Sequence, residues 1–209
     1  MIAIIDYEAG NLTSVARAIS YIGYENIVTS DLKTISEADS VIFPGVGSAG
    51  SAMESLKRFG LDSLLKDLFD SGKPIMGICL GTQIILKHSE EQNTDCVGLV
   101  DGNVPLFNAD MKDNNGSLLK IPHMGWNHVN LREEHPVLKG LSKEDEFYFV
   151  HSYYPQPVSE DFIIGTTFYG VEFASIIGYK NLIATQFHPE KSGEAGLNIL
   201  KNFCEWTPC

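Results

Sequence analysis

Short apolar runs alternate with stretches of helical periodicity through roughly the first ninety residues, and that alternation predicts a parallel sheet interleaved with helices. Met1-Ile2-Ala3-Ile4-Ile5 is nearly continuous in apolar character, as a strand covered on both faces must be. Leu12, Val15, Ala16, Ile19 and Ile22 then recur at helical spacing, leaving Ser14, Arg17, Ser20 and Tyr21 to another face. Residues 26–29 and 40–43 read as further strands, and residues 51–59 and 61–70 as helices, with Gly72 and Pro74 as punctuation. Beyond Val97 the texture shifts to short strand-like pieces broken by Asn, Gly and Pro, which predicts an antiparallel extension. The Asp-Asn-Asn-Gly core of residues 112–117 reads as a turn. The last helix is expected over residues 194–205. The expected fold is a doubly wound, mostly parallel central sheet flanked by helices, a flavodoxin-like three-layer α/β architecture with an antiparallel extension.

Within that frame, Gly77-Ile78-Cys79-Leu80-Gly81 falls between an apolar run at 74–78 and a helical-looking stretch at 82–87. It reads as a nucleophile elbow that carries cysteine. A sharp strand-to-helix turn needs small residues two places either side of the nucleophile, and Gly77 and Gly81 occupy both. The turn would set the Cys79 sulfur at the first turn of a helix, where the macrodipole favours a thiolate. It would also offer the Leu80 N–H to an oxyanion. A bland reading competes, because cysteine is often a buried small hydrophobe. What favours chemistry is Gln186-Phe187-His188-Pro189-Glu190, a histidine and a carboxylate two residues apart just after the strand-like residues 182–185. A cysteine nucleophile needs that base and that orienter.

Composition closes off other classes. The chain has 209 residues, 20% charged and 44% hydrophobic, a size that suits one α/β domain spanning 1–209. Fifteen Lys and Arg stand against 27 Asp and Glu, a net charge of −12, and no basic stripe is present, so nucleic acid is not an expected partner. The amino terminus has no basic n-region or cleavage site and no apolar run reaches membrane-spanning length, so a cytoplasmic protein with no membrane partner is expected. Cysteines at 79, 96, 204 and 209 form no CxxC, which predicts neither a disulfide framework nor a zinc knuckle.

The two separated motifs, Gly-Ile-Cys-Leu-Gly-Thr-Gln and Gln-Phe-His-Pro-Glu-Lys-Ser, resemble those of class I glutamine amidotransferases, the triad glutaminases. Pro44-Gly45-Val46-Gly47, Pro122-His123-Met124-Gly125-Trp126-Asn127 and Phe149-Val150-His151-Ser152-Tyr153 extend the likeness over nearly the whole chain, toward the glutaminase subunits of imidazole glycerol phosphate synthases. The resemblance implies hydrolysis of L-glutamine to glutamate, with ammonia passed to a barrel-shaped cyclase subunit in a heterodimer serving histidine biosynthesis. It implies no cofactor and no metal. Cys79, His188 and Glu190 become nucleophile, base and orienter. Leu80 and the backbone of Val46 and Gly47 become oxyanion donors, with Gly45 and Gly47 giving that segment freedom to reorient. Gln83, Glu91, His151, Ser152 and Tyr153 become the glutamine pocket. Asn11, Trp126, in a loop at 122–127, and Lys191 fall where the family faces its cyclase, and Tyr7 and Gly10 join that rim.

Two departures from the family pattern, Thr82 for methionine and Ala184 to Gln186 for Gly-Val-Gln, keep a second partner open, a synthase that aminates a surface sugar. A catalytically silent regulatory subunit that keeps the elbow as architecture is a further alternative, as is a free-standing hydrolase. His123 and His128 are expected to be satisfied loop histidines and not a metal pair, and Asn11 to serve as a helix N-cap.

Overall fold

The computed structural model describes residues 1–113 and 116–208. The first part of the chain runs β1 (Ile2–Ile5), α1 (Leu12–Tyr21), β2 (Asn26–Thr29), α2 (Leu32–Glu37), β3 (Ser40–Gly45), α3 (Ala49–Phe59), α4 (Leu61–Asp70), β4 (Ile75–Cys79) and α5 (Leu80–Ile84). The second runs β5 (His88–Ser89), β6 (Thr94–Asp95), β7 (Gly102–Val104), β8 (His123–His128), β9 (Asn130–Leu131), β10 (Glu146–His151), β11 (Gln156–Pro157), β12 (Ile163–Tyr169), β13 (Val171–Tyr179), β14 (Leu182–Thr185) and α6 (Gly193–Glu205).

The main sheet has the order β2-β1-β3-β4-β14-β13-β12-β9. Its first five strands are parallel, and β13, β12 and β9 continue it with antiparallel pairing. β10 and β8 form a separate antiparallel pair, and β11, β7, β5 and β6 a small third sheet. Alternation along each strand supplies both faces of the main sheet. Ala3 and Ile5 of β1 join one apolar cluster with Ile35, Met53, Leu56, Leu61 and Leu65 of α2, α3 and α4. Ile2 and Ile4 join the other with Val15 and Ile19 of α1, Phe147 and Phe149 of β10, and Ile199, Leu200 and Phe203 of α6. These two apolar layers, one on each side of the sheet, make the mixed α/β fold.

Several expectations are corrected. α2 lies between the two strands expected at 26–29 and 40–43, where no element is predicted; Asp31 caps it by accepting from the Thr34 N–H at 2.8 Å, and one residue, Ile35, is buried. The helix after Cys79 stops at Ile84 instead of reaching 87, because the chain turns into β5. Residues 123–128 are a strand and not a loop, paired residue by residue with β10 from His123↔His151 to His128↔Glu146. The inward side of β8 is polar or lacks a side chain (His123, Gly125, Asn127), so apolar alternation could not reveal it. Of the turn expected at 112–117, Asn114 and Asn115 lie outside the described residues, as does Cys209; Lys112 and Leu118 form an antiparallel bridge.

Candidate active site

Adjacency in the sheet assembles the site. β3, β4 and β14 are parallel neighbours, with Gly45 opposite Cys79 and Ile78 opposite Thr185, so their carboxyl ends leave the sheet side by side. In a doubly wound sheet that edge is where ligands bind. More than a hundred residues of chain between Cys79 and His188 are thereby reduced to one strand spacing, about 4.8 Å.

At the elbow, Cys79 has φ 55 and ψ −106, a conformation costly for a residue with a Cβ. The flanking glycines are required sterically. A Cβ on Gly81 would lie 2.0 Å from the Phe43 carbonyl oxygen, and one on Gly77 would lie 3.0 Å from the Ala184 Cβ. Thr82 donates to the Thr185 carbonyl at 2.6 Å, tying α5 to β14, so the departure from methionine is accommodated as a polar tether. α5 has five residues, too short for a substantial macrodipole, so the influence expected from a longer helix is small. The groups that act on the sulfur are side chains. Gln186, fully buried, donates its Nε2–H to Cys79 Sγ at 3.7 Å while its Oε1 accepts from Gln83 Nε2 at 3.0 Å.

His188 and Glu190 follow β14, with Glu190 in a single tight turn at Pro189–Lys191. His188 Nδ1 donates to Glu190 Oε1 at 2.7 Å, and both side chains are sealed from solvent, 1% and 0% exposed. Among the described residues His188 Nε2 has no hydrogen-bond partner. Burial depresses the His188 pKa, but its interactions with the nearby Cys79 and with Glu190 outweigh that and raise the value to about 10. Asn11 Nδ2 donates to the same Glu190 oxygen at 2.6 Å. The N-cap expected of Asn11 is therefore corrected: it occupies the first position before α1 with φ 73, and its side chain makes no capping bond but holds the carboxylate. The backbone of this segment is fixed to β10 through His188 N–H to the Tyr148 carbonyl at 2.9 Å and Tyr148 N–H to Ser192 Oγ at 3.0 Å, and Ser192 Oγ–H closes back on the His188 carbonyl at 2.6 Å.

A cavity of about 340 Å³ opens over the elbow, lined by Val46, Gly47, Cys79, Leu80, Gln83, Glu91, Pro122, Val150, His151, Ser152 and Tyr153. Every pocket residue expected from the sequence borders it. Glu91 has one carboxylate oxygen bound to the Ala49 N–H at 2.7 Å, at the start of α3. Beneath the cavity runs a polar chain. Gln83 Nε2 donates to the Tyr153 carbonyl at 2.9 Å, His151 Nδ1 donates to that carbonyl at 2.8 Å, and His151 Nε2 meets His123 Nδ1 at 3.0 Å. Burial drives the pKa of His151 down to about 3, with His123 and His188 adding to the effect, and that of His123 down to about 4. Both imidazoles are neutral near pH 7. His123 is thus a buried strand histidine and His128 an exposed one, which corrects the loop reading of both. Among the described residues no three metal-binding side chains come together.

Trp126 and Lys191 are exposed, Trp126 with its ring edge toward Tyr148 at 6.0 Å. Tyr7 is not on that rim: it is 1% exposed. Sequence reading gave Gln186 no role, although residues two apart in extended chain share a side, and Gln186 stands two before His188.

The layout places the chain among doubly wound α/β proteins built around an elbow-borne cysteine. Its family can be stated directly: the model of glutamine amidotransferase class-I matches residues 3–206, and the chain belongs to that family. It is 50% identical over 206 residues to the imidazole glycerol phosphate synthase subunit HisH of Maridesulfovibrio salexigens, covering 99% of this chain and 97% of that one. Against the protein of the same description from Neisseria meningitidis serogroup B it is 46% identical over 210 residues, covering 98% and 99%. Among solved structures, a glutamine amidotransferase superposes with a TM-score of 0.73 at 13% identity, covering 98% of this chain and all of that one. PurLQS from Thermotoga maritima superposes at 0.72 and 16% identity, covering 98% and 97%. These two share the fold.

Proposed function

We propose that the chain acts as one cytoplasmic amidotransferase domain, the glutaminase subunit of an imidazole glycerol phosphate synthase, delivering ammonia to a barrel-shaped cyclase partner. One observation carries the reading: Cys79, held at positive φ, shares a single cavity with Gln83, Glu91, His151, Ser152 and Tyr153 and lies beside the buried His188–Glu190 pair. Relatives about half identical over nearly the full chain bear the synthase-subunit description.

The chemistry follows from that layout. The Cys79 thiolate attacks the side-chain amide carbon of L-glutamine, and negative charge moves to the amide oxygen. The Leu80 N–H and the backbone of Val46 and Gly47 receive that oxyanion. The His188 imidazolium, held by Glu190 through Nδ1, gives its Nε2 proton to the departing amine, leaving a glutamyl thioester and free ammonia. Water, deprotonated by the now neutral His188, attacks the thioester, and glutamate leaves as the thiolate is restored. Gln83, Glu91, Ser152 and Tyr153 hold the amino-acid end of the substrate, and His151 supplies a neutral wall. Trp126, Lys191 and the Asn11 region meet the partner.

The test is glutamate release by the chain alone, with an imidazole glycerol phosphate cyclase and its acceptor, and with a sugar-amidating synthase. Stimulation by the cyclase supports the proposal. Stimulation by the sugar enzyme alone, full activity without any partner, or no turnover under any condition contradicts it.

A further inference from the structure

Tyr7 follows β1, beside β3, with its ring tilted against Phe43 at 5.2 Å between centroids. Its hydroxyl is buried and has no hydrogen-bond partner among the described residues. A buried hydroxyl left unpaired is costly, so it calls for an explanation. Its surroundings supply one. A Cβ on Gly45 would lie 2.0 Å from the Tyr7 hydroxyl oxygen and 3.1 Å from the Leu80 Cβ, so the hydroxyl presses directly on the backbone that leads into the oxyanion segment.

That segment is a partition. Val46 and Gly47 line the cavity above Cys79 and also a second one of about 320 Å³, bordered by Tyr7, Glu8, Ala9, Ser48, Ser51, Ala52 and Ser55. There is space on both sides. Gly47 has φ 108 and no described atom within 4 Å of where a Cβ would stand, so no side chain of its own restricts a turn of the adjoining peptides. In a trans peptide the N–H and the C=O point to opposite sides. A peptide that turns its N–H toward Cys79 must send its carbonyl toward the side on which Tyr7 stands.

We propose that the Tyr7 hydroxyl is the donor waiting for that carbonyl: it is a positioning residue that favours the form of residues 45–47 in which backbone N–H groups face the Cys79 cavity. The inference rests on the reading of this segment as the oxyanion site. Tyr7 makes no hydrogen bond to the sulfur, although the two are near enough for their charges to interact, and it works through the backbone. Removing its hydroxyl lowers the fraction of molecules with the donors in place, and any reaction that passes through an oxyanion slows by the same factor.

Two reactions of Cys79 on the intact, isolated chain separate this from a packing role. With iodoacetamide the sulfur displaces iodide and no oxyanion forms. With 4-nitrophenyl acetate the sulfur adds to the ester carbonyl, an oxyanion forms and collapses, 4-nitrophenolate leaves, and an acetyl thioester remains. Each rate is corrected by the Cys79→Ala background, since Cys96 and Cys204 are also free thiols. Tyr7→Phe keeps the ring against Phe43. It is expected to slow acylation about tenfold, the value of one ordinary hydrogen bond, with alkylation unchanged and with Tm equal to or above that of the wild type. A wild-type ratio of acylation to alkylation overturns the proposal. So does a variant that loses both reactions together with Tm, which would give the hydroxyl a partner in the resting fold, and so does a wild-type acylation no faster than the background. Glutamine turnover by the wild type with its cyclase is measured in parallel; its absence counts against the functional proposal, while the ratio still decides the role of Tyr7.

Discussion

Backbone strain and buried polar side chains meet at one sulfur. Cys79 sits at φ 55 because the strand-to-helix turn leaves it no other course, and the two glycines beside it permit the turn. Glu190 shares one oxygen between His188 and Asn11, so its carboxylate is oriented from two directions. Glu190→Gln should therefore lower kcat by 10²-fold or more with little change in KM, because it removes stabilisation of the imidazolium and not a substrate contact; steady-state glutamine hydrolysis in the complex checks this. The raised pKa of His188 has a thermodynamic counterpart. The folded protein binds that proton more tightly than the unfolded chain, so the stabilisation is fully present below about pH 6.5 and is lost as pH climbs toward about 10. In urea titrations, the stability gap between wild type and His188→Gln should be widest near pH 6 and should close toward pH 10. The cysteine, histidine and glutamate were legible in the sequence because short motifs with local steric rules carry them. The grip of Asn11 on Glu190, 179 positions away, was not, since it depends on where β1 and β14 end.

At the scale of elements, strand pairing and helix packing hold the site in place. The β8–β10 pair places His123 against His151 under the pocket, and burial keeps both neutral. Their folded pKa values lie below 6.5, so the stabilisation they give is present above that pH and disappears as pH falls through about 4 and then 3. Replacing His123 with Gln should cost stability at pH 7 but flatten the loss between pH 6.5 and pH 4, as read from denaturation midpoints. The packing of α5 against β3 is equally specific. Gly81→Ala drives a methyl onto the Phe43 carbonyl and should destabilise the fold by about 1–3 kcal/mol, with loss of turnover, as measured by thermal unfolding and glutaminase assay. The parallel strands were readable because each is a short apolar run. β8 was not, because its inward positions are His, Gly and Asn and its partner strand is distant in the chain, with His123 opposite His151; α2 escaped notice because six residues with one buried side chain make a faint periodic signal.

At the scale of the whole molecule, strand order does the assembling. With β3, β4 and β14 as neighbours, the proposed oxyanion segment, nucleophile and base arrive at one edge of the sheet, and the β8–β10 pair links that edge to the exposed face that carries Trp126. The His188 backbone is bonded to Tyr148, whose ring lies beside Trp126, so a partner seated on this face is one residue removed from the base. Trp126→Ala is expected to raise the Kd for the cyclase about thirtyfold while leaving Tm unchanged, as isothermal titration and thermal unfolding would show. Alternating runs in the sequence foretold the layers and the antiparallel extension; the buried Tyr7 hydroxyl behind the oxyanion segment needed the folded chain. The proposed chemistry requires a covalent intermediate at Cys79. Acid-quenching the cyclase complex during turnover of labelled glutamine, then mapping peptides by mass, should find a glutamyl group on Cys79 and none on the Cys79→Ala chain. Continued turnover by that variant, or a glutamyl group on any other residue, would contradict it.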